Sequence, residues 1–219
     1  MEIYEWMAKN MLPKKVDKVR VGGNGDGGYV IPAKSIEECD LFVCFGLGSN
    51  VYYEKQLVEK NKKVIAYDMA GCIEPWARQM KIVGYNDFKN IKEVEEAKKI
   101  LLKMDIEGFE WNFFETLDVN HFCEKVNTLT FELHLTINPN KKPLSVLDKV
   151  IENYHVVHVH GNNFGNYIQD VPETLEITMV NKNEYGELNL DKQTYPIPNL
   201  DFKNTWSKDE MKLSWINNS

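Results

Sequence analysis

Residues Leu101–Trp111 read LLKMDIEGFEW, an apolar run that ends on three carboxylates, Asp105, Glu107 and Glu110. A carboxylate is costly to bury without a positive or hydrogen-donating partner, so these side chains either face water or hold something. TLTFELHL places Glu132 and His134 two residues apart, and therefore on one face of a strand. VVHVHGNNF does the same with His158 and His160, followed by Asn162 and Asn163. Carboxylates and imidazoles gathered from strand ends can coordinate a divalent cation, Mg2+ or Mn2+, with waters or substrate oxygens completing an octahedron. Asp105, Glu132, His134 and His160 are the candidate ligands. Such an ion acidifies a bound hydroxyl. His134 or His160 can instead act as general base, because imidazole titrates near neutrality. Both routes lead to a hydroxyl nucleophile, with Asp105, His134 and His160 as candidate catalytic residues. The competing structural reading is strongest for Glu107 and Glu110, which fall in the first turn of the expected helix GFEWNFFETL and can favour its dipole from solvent. His121, His155 and the pair Lys141–Lys142 are read as incidental.

A second constellation lies upstream. LFVCFGLGSN joins a strand to a helix that Ser49 or Asn50 can cap. Gly46 and Gly48 allow a ligand to approach the backbone at the carboxyl end of the strand, where open α/β sheets bind cofactors. The dinucleotide fingerprint requires a third glycine where this chain has Val51, which argues against the pyrophosphate of NAD or FAD. Asp68 ends the next strand, 22 residues after Gly46, where an acidic side chain grips ribose hydroxyls. S-adenosylmethionine has the ribose without the pyrophosphate, so it suits this pair of features better than NAD. The bland alternative is a turn and a solvated aspartate.

The elements that must position these residues follow from periodicity. LFVCF, KKVIAYD, LLKMD, NTLTFELHL and HVVHVH are short apolar or alternating runs, and helix-capable segments separate them: YYEKQLVEKN, NIKEVEEAKKI, EWNFFETLD and PLSVLDKVIENY. This alternation predicts parallel βαβ construction with both sheet faces covered. In the last segment Leu144, Leu147, Val150, Ile151 and Tyr154 recur at helical spacing behind Pro143, so a surface helix with one buried stripe is expected. TLEITMVN, residues 174–181, alternates as a half-buried strand, antiparallel because no crossover helix precedes it. A short helix over residues 1–12 with Ile3, Met7 and Met11 on one side leads to RVGGNGDGGYVIP, which is either a tight hairpin or a loop approaching a ligand.

With 219 residues and no low-complexity tract, one α/β domain is expected over 1–219: an N-terminal helix and glycine-rich hairpin (1–39), a cofactor-binding core (40–181) and a C-terminal arm (182–219) with Trp206 and Trp215 as anchors. The composition, 43% hydrophobic and 27% charged, excludes a predominantly disordered chain. A net charge of -7 argues against nucleic acid as a partner, since that binding rests on a basic face. No run is long enough to span a bilayer and the start lacks a signal peptide's apolar core, so a cytoplasmic location is expected. Cys39, Cys44, Cys72 and Cys123 lack CxxC spacing and are read as buried free thiols.

LLKMDIEGFEWNFFETL resembles the strand-four signature of FkbM-like, S-adenosylmethionine-dependent O-methyltransferases, and RVGGNGDGGYVIP, LFVCFGLGSN and TLTFELHL resemble successive motifs of the same group over roughly residues 20 to 181. The resemblance implies a Rossmann-like methyltransferase sandwich, mostly parallel with an antiparallel last strand. Gly46, Gly48, Ser49 and Asn50 would then line the cofactor, Asp68 would bind its ribose, and Asp105 would lie close to the methyl group. Motif one begins with an acidic residue in many methyltransferases, but here that position is Cys44. Asp26 in the GDGGY loop is the candidate replacement carboxylate for the methionine amine, and Arg20 the candidate partner of the cofactor's carboxylate. The family further implies a small-molecule acceptor, a sugar or nucleotide-linked sugar used in a surface polysaccharide, with acceptor contacts sought from Tyr167 onward, including Tyr195, Trp206 and Trp215. A homodimer through the apolar arm is compatible with this reading. The competing functions are an NAD(P)-dependent Rossmann reductase and a non-catalytic nucleotide-binding module. A passive module has no physical need for so many His, Asp and Glu residues at strand ends.

Overall fold

The computed structural model describes residues 2–138 and 142–218, so Lys141 of the incidental pair lies outside the described residues. The N-terminal part holds α1 (Ile3–Asn10), the hairpin strands β1 (Lys18–Val21) and β2 (Tyr29–Pro32), and α2 (Ala33–Glu38). The core follows with β3 (Leu41–Phe45), α3 (Tyr52–Glu59), β4 (Val64–Asp68), β5 (Ala77–Gln79), α4 (Tyr85–Lys89), α5 (Lys92–Glu96) and β6 (Ile100–Met104). Next come α6 (Glu110–Glu115), α7 (Val119–Lys125), β7 (Val126–His134), α8 (Asp148–Asn153) and β8 (Tyr154–Gly161). The chain closes with β9 (Tyr167–Ile168), β10 (Val171–Pro172), β11 (Thr174–Asn181), α9 (Lys182–Tyr185) and α10 (Ser214–Asn217).

Seven strands form one sheet in the order β5-β4-β3-β6-β7-β11-β8. The pairs from β5 to β7 are parallel, and β11 is antiparallel to both β7 and β8. This is the mostly parallel, Rossmann-like sheet that the strand pattern predicts, with TLEITMVN as its antiparallel last strand. The crossovers bring the carboxyl ends of β3, β4, β6 and β7 to one rim, as parallel construction requires.

Sequence alternation decides what each sheet face meets. In β7, Leu129, Phe131 and Leu133 enter the large core beneath the sheet, where Phe45, Phe88, Phe113 and Phe122 pack with edge contacts of 6.0–6.4 Å between ring centroids. Such pairs add roughly 0.5–1.5 kcal/mol each beyond the area they bury. The opposite face carries Thr128, Thr130, Glu132 and His134. Thr130 bonds Thr178 across the strands at 2.9 Å, and Thr178 Oγ1 donates to the Val30 carbonyl of the hairpin at 2.7 Å. The polar half of that face is thus roofed by β2 and the C-terminal arm, while its apolar half packs Phe42, Cys44 and Ala66 against Leu57 and Tyr29.

Several expectations are corrected. The segment 143–154 opens as a 3-10 turn, Leu144–Leu147, before α8, and Tyr154 already belongs to β8. The short elements α2, α4, α7, β5 and the β9–β10 hairpin carry too little periodicity to be read from sequence. All four cysteines are free, but Cys72 and Cys123 are only half-buried. Trp215 is buried and anchors the arm, whereas Trp206 is 76% exposed and anchors nothing. No helix among the described residues is long and apolar enough to cross a membrane.

Candidate active site

The glycine turn closes where β3 leaves the sheet. Gly46 has φ +75°, and a Cβ there would lie 1.6 Å from the Asp105 carbonyl oxygen, so both conformation and space demand glycine. Gly48, at φ +57°, has open space around it and is held to glycine by conformation alone. The Asp68 carboxylate fastens the turn: Oδ2 accepts from the backbone N–H of Leu47 at 2.9 Å and of Gly48 at 3.3 Å, and Oδ1 from Ala70 at 2.7 Å. Burial works to raise its pKa, but these donors outweigh it and hold the carboxyl below the ordinary value. Gly46, Asp68 and Asp105 line one cavity of about 190 Å³ whose apolar walls include Met80, Ile82 and Phe109.

Behind the turn, Lys103 Nζ donates to the Gly46 carbonyl at 2.5 Å and faces Glu54 of α3 at 3.7 Å. Burial pulls the ammonium's pKa down, but the charges of Glu54 and Asp105 outweigh it and leave it above its usual value. Glu54 of α3 also lies beside Cys44. Burial and the Glu54 carboxylate hold the Cys44 thiol well above its ordinary range.

Of the other turn residues, Ser49 is exposed and α3 has no side-chain cap from it. Asn50 Oδ1 accepts from Tyr52 N–H at 3.1 Å, and its Nδ2 donates to the Asp26 carbonyl at 2.5 Å, tying the glycine-rich loop to the start of α3. Arg20, expected to meet the cofactor's carboxylate, is not a free cation. Its guanidinium donates to the carbonyls of Gly23, Gly25 and Leu200 at 2.7–3.1 Å and so braces that loop against the arm. The Asp26 carboxylate receives Asn204 Nδ2 at 3.4 Å, and burial raises its pKa, with Glu176 and Asp105 adding to the rise.

The acidic strand end is a three-element corner. Asp105 continues the β6 ladder by donating its N–H to the Phe45 carbonyl at 2.9 Å, and its Oδ2 accepts from Tyr29 Oη at 3.2 Å. Glu110, assigned from sequence to a solvated first turn, is fully buried. Its Oε2 accepts from Gly108 N–H at 2.8 Å, and its Oε1 accepts from His134 N–H at 2.8 Å and from His134 Nδ1 at 2.9 Å. Because a carboxylate only accepts, Nδ1 carries the proton and Nε2 is turned toward the corner. There Nε2 stands 3.5 Å from both Glu107 Oε2 and Glu132 Oε2. Burial lowers the imidazole's proton affinity, but the bond and charge of Glu110, with Asp105 and Glu107, raise it above the ordinary value. Glu107 has φ +52° and a side chain 76% exposed, so its solvent expectation holds while its place beside His134 was not foreseen.

His160 is separate from this corner. It stands in register with Glu176 of β11, which in turn faces Glu132 of β7. His160 Nδ1 bonds Glu176 at 2.9 Å and Nε2 bonds Glu210 of the arm at 2.5 Å, so neither nitrogen is free for catalysis or for a metal. These carboxylates overcome burial and raise the ring's pKa to about 10. His158 has its Nε2 at 2.7 Å from Asp201, while its buried Nδ1 makes no hydrogen bond. Burial holds the Glu132 carboxyl well above its usual range, reinforced by Asp105, Glu176 and Asp26. Among the described residues, the group whose ligand atoms all lie within 4.8 Å of one another is Asp105, Glu107 and His134. Of the cation ligands expected from sequence, Asp105 and His134 fall in this group together with Glu107, whereas Glu132 and His160 do not.

Sequence reasoning missed Glu110, Glu176, Glu210 and Asp201. One signal was present for Glu110: a helix reading FEWNFF is apolar on nearly every side and leaves its acid little access to water.

No protein-family model matches the chain, and no curated protein matches it. Among solved structures it is similar to a precorrin-6y C5,15-methyltransferase from Geobacter metallireducens GS-15, at 8% identity and a TM-score of 0.36, over 73% of this chain and 96% of that one. A likeness this loose carries no argument about chemistry.

Proposed function

We propose that this chain is an S-adenosylmethionine-dependent O-methyltransferase acting on a hydroxyl of a sugar or nucleotide-linked sugar. The observation that carries the reading is the convergence of Gly46, Asp68 and Asp105 on one crevice at the carboxyl ends of β3, β4 and β6. Asp68 lines this crevice with a carboxylate that would accept from ribose hydroxyls, and Met80, Ile82 and Phe109 would offer apolar walls to a base. Asp26, whose backbone carbonyl Asn50 ties to the start of α3, would supply the carboxylate for the methionine ammonium. The sugar acceptor rests on the family resemblance alone.

In the reaction the acceptor oxygen attacks the methyl carbon in line, the carbon–sulfur bond breaks with its electron pair going to sulfur, and the hydroxyl proton departs. Two routes for that proton meet at the same corner. His134 Nε2 can take it directly, with Glu110 steadying the ring as an orienting carboxylate. Asp105, Glu107 and His134 could instead hold a divalent cation, which would supply Lewis acidity to the hydroxyl, the proton then leaving to water.

A thermal-shift series tests the cofactor. S-adenosylhomocysteine is expected to stabilise the protein and NADH to leave it unmoved, because a ligand stabilises only the state it binds. Asp68→Ala should abolish the shift. Stabilisation by NADH instead would support the reductase, and no shift with either would support the passive module.

A further inference from the structure

We propose that Asp105, Glu107 and His134 form the binding site of a divalent cation, with Mn2+ preferred over Mg2+, and that Glu110 is its positioning residue. Three observations converge on it. First, the three ligand atoms lie within 4.8 Å of one another, so small side-chain shifts bring them onto one ion at roughly 2.0–2.2 Å. Second, the imidazole is built for it. His134 is 5% exposed, its Nδ1 is committed to a fully buried carboxylate, and its Nε2 makes no hydrogen bond while pointing at carboxylate oxygens 3.5 Å away. A carboxylate on the second nitrogen of a ligand histidine fixes its tautomer and raises its basicity as a metal donor. Third, among the described residues no lysine or arginine forms an ion pair with Asp105 or Glu107; the Lys103 ammonium acts on Asp105 only from a distance, being committed to the Gly46 carbonyl and Glu54. Two carboxylates and a neutral imidazole match a dication in charge.

The donor set also selects the metal. Two oxygens and one imidazole nitrogen are softer than the all-oxygen shell that Mg2+ favours, and carboxylate with water suits Mn2+. Three protein donors leave the remaining octahedral positions to water and acceptor oxygens. Asp105 lines the cofactor crevice and Glu107 its outer lip, so those positions open toward the crevice. The cation's catalytic purpose rests on the methyltransferase reading, whereas its binding does not.

The test is titration of the full chain with Mn2+ by calorimetry and by loss of the free-ion electron paramagnetic resonance signal, with S-adenosylhomocysteine binding measured in parallel. The expected result is one Mn2+ per chain, bound more tightly than Mg2+. Glu107→Gln, a surface change that leaves the fold alone, should weaken Mn2+ by about tenfold or more, and Glu110→Gln by roughly 10–100-fold. Glu210→Gln, in the separate His160 cluster, should bind as the parent does. Absence of saturable binding at millimolar Mn2+, or Glu107→Gln binding as the parent does, overturns the site. Mn2+ binding with the expected variant pattern supports the site even if S-adenosylhomocysteine does not bind, and in that case only the methyltransferase reading falls.

Discussion

Gly46 and Gly48 share a positive φ but differ in surroundings, which makes them a paired test at the residue scale. Gly46→Ala drives a methyl group into the Asp105 backbone and displaces the end of β6, so a loss above roughly 4 kcal/mol, or failure to fold, is expected. Gly48→Ala meets only the cost of a left-handed conformation, about 1–2 kcal/mol. Denaturant unfolding separates the two by midpoint at similar slope. The tryptophans make a second pair. Trp215→Ala should cost about 3–5 kcal/mol as a core truncation, and Trp206→Ala should stay within roughly 0.5 kcal/mol.

Between elements, polar side chains do the joining. Arg20 spans β1, the glycine-rich loop and the arm with three charge-assisted bonds, so Arg20→Ala is expected to cost roughly 2–3 kcal/mol. Limited proteolysis should then cut between Gly22 and Gly28 at a higher rate, whereas Arg20→Lys, lacking the planar fork, should not restore protection. The row Glu176–His160–Glu210 joins β11, β8 and the arm. His160 titrates at 6.5 when unfolded and near 10 when folded. Its stabilising contribution is therefore complete below pH 6.5 and is lost as pH rises toward 10. Melting temperature should fall across that interval in the parent protein, and less steeply in Glu210→Gln.

Across the whole molecule, the arm serves as the roof of the polar sheet face. Asp201, Asn204 and Glu210 meet His158, Glu176 and His160 there, so removing residues 187–219 strips partners from buried charged groups. Unpaired buried charge costs several kcal/mol per group. The truncated chain is expected to bind a hydrophobic dye and lose near-ultraviolet circular dichroism while keeping much of its far-ultraviolet signal. A truncated chain with native near-ultraviolet spectra would show that the sheet face tolerates water.

Local pattern was enough to fix β3, β4, β6, β7, β8 and β11, the glycine turn with Asp68, and the same-face pairs Glu132–His134 and His158–His160, because period-two alternation and positive-φ glycine are properties of neighbouring residues. Which of those pairs stays open was decided only in three dimensions. Glu110 reaches His134 across 24 residues, and Glu210 closes His160 across 50. Strand order puts Glu176 between them, and neither that order nor the path of the arm leaves a periodic trace in the chain. A histidine's freedom depends on what occupies both ring nitrogens, and those occupants come from distant sequence.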